Sequence, residues 1–376
     1  MSGHRPLLCS GMNDPFDLLR VHADPESADE PGQSTDLVLH QPHAEAERDM
    51  TMLVSWSGHT DAGTLSEQLA DALLGTLPHR QIASFDVDEL FDYRSRRPRV
   101  TFSDNRFSDL QGPRLDLYEV RDAMDRPFLL LTGDEPDFQW ERVSGTILEL
   151  VERLDVKLVV LVDALGLPTP HTRPLGVTAH GNRQDLTEGI STWSPAAQIE
   201  AGLAQMLELR LDEAGRDVVG YTLHVPHYLA GGKYPQVAVA ALEYTGAAME
   251  LMLPTDELRE AARMVDMDIS RQVSQSPEIS GLIQRLESNY DEYAKPASRS
   301  LLVNQDEEIP DAEELGAAVE AFLRSQDEEA QLSPETPDRT SPENFPQDFF
   351  TAEDFGTEAD DEGREDDDFS PDERTR

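Results

Sequence analysis

From residue 51 to residue 253 the chain alternates short apolar runs with longer stretches of helical period. Thr51 to Trp56, Ile82 to Val87, Pro127 to Thr132, Lys157 to Val162 and Val218 to Val225 read as strands. The runs at 127 and 157 are continuously apolar, as strands buried on both faces are. Between them lie helical stripes. Leu65, Leu69, Leu73 and Leu77 mark a helix over about 63–76. Trp140, Val143, Ile147, Leu150, Val151 and Leu154 mark another over 137–154. Further helices are predicted over 196–213, with Ile199, Leu203, Met206, Leu207 and Arg210, and over an alanine-rich 235–253. Such alternation predicts an α/β fold with a mostly parallel central sheet and helices on both faces. Leu115 to Val120 is expected as an edge strand, Leu175 to His180 as a short strand, and Arg94 to Arg99 as a basic loop.

The ends read differently. Residues 1–49 are rich in Pro, Asp, Glu, His and Ser without apolar period, and are expected to be a disordered leader. The α/β domain is expected over 50–253. After Pro254 the pattern becomes purely helical. Leu258, Ala262, Val265, Ile269 and Val273 form one stripe, and Ile279, Leu282, Ile283, Leu286, Tyr290 and Tyr293 a second. Asp311 and Glu314 are expected to form a capping box before a third helix. This helical appendage is expected over 254–328, against the parent domain or a neighbouring subunit. Residues 329–376 are acidic and proline-containing, and are expected to be a disordered tail.

Charge limits the partners. The 376 residues carry a formal charge of −44. The last 46 hold 16 acids against 4 arginines, so the rest still carries −32. That field repels nucleic acid and anionic lipid, and neither is expected as a partner. No apolar run reaches the length of a membrane span, no signal peptide is evident, and a cytoplasmic location is expected. The single cysteine, Cys9, precludes an internal disulfide and a Cys-based zinc site in the core.

Two polar islands follow strands. One runs from Asp163 to Pro174 and holds His171 and Arg173; the other runs from His224 to Leu229 and holds His227 and Tyr228. Ligands gather at the carboxyl ends of strands in open α/β sheets, so the islands are expected to lie side by side on one rim. His180 follows soon after the first island, and Asp61 sits in the turn after the first strand. Asp61 reads either as a helix cap or as a ligand group. Arg173, stiffened by Pro174, suits an anion site or an internal ion pair. His224 and His227 stand three apart, which on a strand turns them to opposite faces. No metal site and no cofactor are expected. Dinucleotide, phosphate-loop, zinc-protease and serine-elbow motifs are all missing.

Several blocks nevertheless resemble one family. They are Phe85 to Pro98, Gly133 to Arg142, Pro170 to Pro174, Gly176 to His180, Leu207 to Leu211 and His224 to Leu229. In this order, across about 50–325, they resemble the actinobacterial branch of the PAC2, or proteasome assembly chaperone, family. The resemblance implies a three-layer α/β/α sandwich of phosphorylase/hydrolase type. It also implies a homo-oligomer, with a trimer as the expected number, and no established catalysis. Eukaryotic and archaeal relatives assemble or bind the 20S proteasome, several through a C-terminal hydrophobic–Tyr–any motif. This chain ends Glu373-Arg-Thr-Arg376 and lacks that motif. Trp193 to Gln198 also reads as a shorter connection than the family's.

Two functions are therefore expected to compete. One is a non-catalytic homo-oligomeric binding or chaperone-like protein, with proteasome subunits or another protein as partner. The other is a binder or enzyme for a small anionic molecule, using Asp61, His171, Arg173, His180, His227 and Tyr228.

Overall fold

The computed structural model describes residues 15–22, 50–192 and 198–293. Ten strands are present among them: β1 Leu19–Val21, β2 Thr51–Ser57, β3 His79–Phe85, β4 Arg99–Ser103, β5 Arg106–Gln111, β6 Leu115–Arg121, β7 Pro127–Asp134, β8 Leu158–Leu167, β9 Gly176–Gly181 and β10 Val218–Pro226. The helices are α1 Leu65–Thr76, α2 Val87–Leu90, α3 Trp140–Arg153, α4 Gln184–Thr187, α5 Leu203–Glu213, α6 Pro235–Met249, α7 Asp256–Gln275 and α8 Pro277–Tyr293.

Eight strands form one sheet in the order β1-β3-β6-β7-β2-β8-β10-β9. Its centre, β7-β2-β8-β10, is parallel. The outer strands pair antiparallel. Side-chain alternation divides the core into two layers. On β8, Val160 and Val162 face one cluster with Leu65, Leu69 and Leu73 of α1 and Val237, Ala241 and Leu242 of α6. Val159 and Leu161 face the other, with Val143 and Ile147 of α3 and Leu203 and Leu207 of α5. The result is the expected α/β/α sandwich. Val265 and Ile269 of α7, with Ile283 and Leu286 of α8, extend the first cluster. The described part of the appendage, up to residue 293, thus packs on its own domain.

Four expectations are corrected. The leader is not wholly structureless: β1 adds to β3, and Leu18 is fully buried. That strand makes β3 an inner strand, and β3 in turn makes β6 one, so β6 is not an edge. The helix expected from 196 begins at Leu203, because Gly202 is extended and Ile199 is 65% exposed. The basic loop leads into a hairpin, β4–β5, that the sequence reading missed. Every residue of both strands is exposed, so no buried face left a periodic signal. The helix expected near 311–323, the tail from 329, Cys9 and most of Trp193 to Gln198 lie outside the described residues.

Candidate functional site

The two islands meet. β8 and β10 run parallel in register up to Leu167 and Pro226, so both chains leave the sheet at the same rim. Just beyond it, the Tyr228 hydroxyl lies 2.9 Å from the His171 backbone nitrogen and 2.8 Å from its Nδ1. The rings meet edge to face at 6.0 Å. Burial pushes the His171 imidazole down and the Tyr228 phenol up from their ordinary values, so both stay neutral near pH 7.

Arg173 is committed to α8. Its Nε and Nη2 donate to the two carboxylate oxygens of Asp291 at 2.8 and 2.7 Å, and Nη1 donates to Glu287 at 3.2 Å. Tyr290 of the same helix donates to the Pro174 carbonyl at 3.0 Å. The hydrogen bonds to Asp291 push the guanidinium further up, and the same contacts hold Asp291 down. The fork that suited an anion on sequence grounds is therefore filled from within. His227 is exposed, its ring edge-on to Tyr228 at 5.3 Å. Asp61 accepts from the Ser66 backbone and hydroxyl, both at 2.8 Å, and so caps the start of α1. Burial raises its pKa against those hydrogen bonds.

His180 does not join this group, which corrects the expectation of one common site. It pairs with Gly220, six residues before Pro226, or roughly 20 Å back along β10. It also faces the opposite layer, beneath α5. There Asp163, Thr222 and Thr178 form a row across β8, β10 and β9. The His180 Nδ1 lies 2.6 Å from Glu208, and its Nε2 lies 3.1 Å from Thr222. The His224 Nε2 lies 2.9 Å from the Thr178 hydroxyl. Gln205 donates to Asp163 at 2.9 Å. A Cβ on Gly220 would collide with the His180 ring, so that imidazole rests on bare backbone.

Environment separates these groups. Burial opposes a charged His180, but the Glu208 hydrogen bond and the charges of Glu208 and Asp163 outweigh it, and its pKa rises. Burial alone drives His224 down to about 4. Burial pushes Asp163 up, against Thr222, the His180 charge, Thr60 and Gln205.

Thr222, His180 and Glu208 stand in the order of a hydroxyl, a base and an orienting carboxylate. Thr222, however, lies mid-strand with β8 on one side and β9 on the other. Its neighbouring backbone is spent on the sheet rather than aimed at a developing oxyanion. Sequence reasoning missed Thr178, Gln205, Glu208 and Thr222. The usable signal was Gly220-x-Thr222-x-His224, a period-two polar face inside an apolar strand. Among the described residues, no three His, Cys, Asp or Glu side chains form a metal-holding group, and no helix is long and apolar enough to cross a membrane.

The profile of the PAC2 family matches residues 55–273, which spans both polar groups and the helices around them. The chain belongs to the PAC2 family. A Corynebacterium glutamicum protein of unknown function is 34% identical, with TM-score 0.65 over 74% of this chain and 97% of its own. A Mycobacterium tuberculosis protein of unknown function is 39% identical, with TM-score 0.62 over 65% and 86%. A second M. tuberculosis protein, a proteasome-assembly chaperone homologue, shares the fold at 23% identity, with TM-score 0.58 over 62% and 100%. No curated protein matches the chain.

Proposed function

We propose that this PAC2 protein is a non-catalytic, homo-oligomeric binding protein of the cytoplasm that holds other proteins in the manner of an assembly chaperone. The observation that carries this reading is the β4–β5 hairpin. Phe102 and Phe107 are 61% and 73% exposed, and pair with ring centroids 4.9 Å apart. Leu110 and Val100 are exposed beside them. A lone two-stranded hairpin is marginal in water, and an outward apolar cluster on one is a contact surface. Arg99 and Arg106 lie on its two strands, and Arg94 and Arg97 just before it, in a chain whose net charge is −44. The acidic surface of a second copy complements that basic rim. Arg173, His171 and His180, the best candidates for turnover, are engaged in internal contacts, which favours binding over catalysis.

Sedimentation of the full chain tests this. Wild type should sediment as an oligomer, and Phe102→Ala with Phe107→Ala should sediment as a folded monomer. A monomeric wild type removes the reading. A proteasome link rests on the family and is tested apart, by capture of 20S subunits from lysate. Failure there with an intact oligomer discards the proteasome and keeps self-association.

A second reading draws on Asp163. Its Oδ1 is shut from solvent, and beyond the Gln205 bond to Oδ2 the carboxylate is held only by looser contacts with Thr222 and Thr60. With Glu208 and Asp163 both acting on His180, this layer favours a ligand that donates hydrogen bonds, not the anion expected from sequence. Thermal-shift screening of nucleosides against acidic metabolites separates the two; stabilisation by neither class leaves the layer structural.

A further inference from the structure

Glu135 is the first residue beyond β7, where that strand lies beside the end of β2 at Ser57. Its side chain does not point to water. It is buried and reaches the N-terminus of α5, where Oε1 accepts from the Leu203 backbone N–H at 2.7 Å. Oε2 accepts from the backbone N–H of His59, in the turn after β2, at 3.3 Å. Two glycines make room. A Cβ on Gly58 would collide with the carboxylate, and one on Gly202 would come within 2.7 Å of Oε1. Gly202, at the cap position of α5, has no side chain to serve the helix start, and Glu135 serves it from another element.

The ingredients are those of an oxyanion site. Backbone N–H groups from a strand-to-helix turn and from a helix N-terminus converge at the carboxyl ends of parallel strands, between glycines that admit close approach. We propose that the 57–59 turn and the α5 N-terminus form one oxyanion site, and that Glu135 is its resident ligand. Both carboxylate oxygens are bound by groups that would equally serve a small carboxylate or a phosphate. An external anion enters only by displacing Glu135. The side chain is thus a built-in competitor that ties β7, the 57–59 turn and α5 together.

Chemical rescue of full-length Glu135→Ala by formate tests this. Thermal unfolding is followed in sodium formate and in sodium chloride of equal ionic strength, with wild type and Glu135→Gln alongside. Formate should raise the midpoint of Glu135→Ala saturably, by at least about 3 °C over chloride. It should not do so for wild type or for Glu135→Gln, whose side chain still fills the site. The amide resonances of His59 and Leu203 should move with formate only in Glu135→Ala. Equal responses to formate and chloride, or an equal rise in wild type, overturn the proposal. If Glu135→Ala folds only when formate is present, that is the rescue itself. If it folds in neither salt, Glu135→Asp decides. A carboxylate one methylene short should let the Leu203 amide exchange faster than in wild type, and unchanged protection overturns the proposal.

Discussion

The Tyr228 hydroxyl joins the two polar islands by accepting the His171 backbone N–H at 2.9 Å and lying 2.8 Å from His171 Nδ1. The hydroxyl can accept from or donate to Nδ1, so the contact orients the imidazole in either neutral tautomer. Tyr228→Phe keeps the ring and removes both bonds. It leaves a part-buried N–H and a ring nitrogen unpaired, at a cost of about 1–3 kcal/mol. Urea unfolding of the variant should show a lower midpoint with an unchanged slope. An unchanged midpoint would mean that water replaces the phenol.

Arg173 pins the first island to α8 through a bidentate contact with Asp291 and one bond to Glu287. The pair is solvent-facing, so salt should weaken it. Arg173→Ala should raise hydrogen exchange in 170–174 and in α8 while leaving β8 and β10 protected. Arg173→Lys should behave like the alanine variant, because an ammonium cannot reproduce the planar fork. Wild type in high salt should drift the same way.

His224 sets a pH dependence. Its folded pKa of about 4 lies below the ordinary 6.5, so the unfolded chain binds a proton that the folded chain does not. Stability from this group is complete above about pH 6.5 and is lost as pH falls towards 4, on the order of 3 kcal/mol in all. His180, shifted up, acts oppositely: its contribution is present at low pH and fades as pH rises through its folded pKa. His224→Gln should flatten the wild-type decline between pH 6.5 and 4. A decline of unchanged steepness would assign the acid lability to other groups.

Removal of 1–49 tests whether β1 belongs to the fold. Leu18 is fully buried among Phe85, Leu90 and other residues under α3. Leu18→Ala alone should cost about 2–5 kcal/mol. The truncated chain should unfold at lower temperature than the full one. Equal melting would show that the strand adds nothing to the sheet.

How legible was this molecule? The buried strands declared themselves, because β8 and β10 carry apolar residues on both faces and leave one reading for such a run. β1 did not: three residues in a proline-containing context gain their order from the β3 edge and the core they meet. The β4–β5 hairpin was equally silent, since a strand with no buried face has no period to read. At the site, His171, Arg173 and Tyr228 were found as residues, but their partners were not. Asp291 lies 118 positions from Arg173, and no spacing rule reaches that far.

The sequence by itself determined the layers, the parallel centre of the sheet and the rim at which the two islands leave it. Periodicity and strand chemistry act over a few residues and are written locally. Tertiary structure alone decided which face each polar group occupies and what it touches. One step along a strand reverses the face, and a contact partner is set by the packing of whole elements. That is why His180 parted from His171, why an acid 118 residues away filled the fork of Arg173, and why Glu135 came to serve the start of a distant helix.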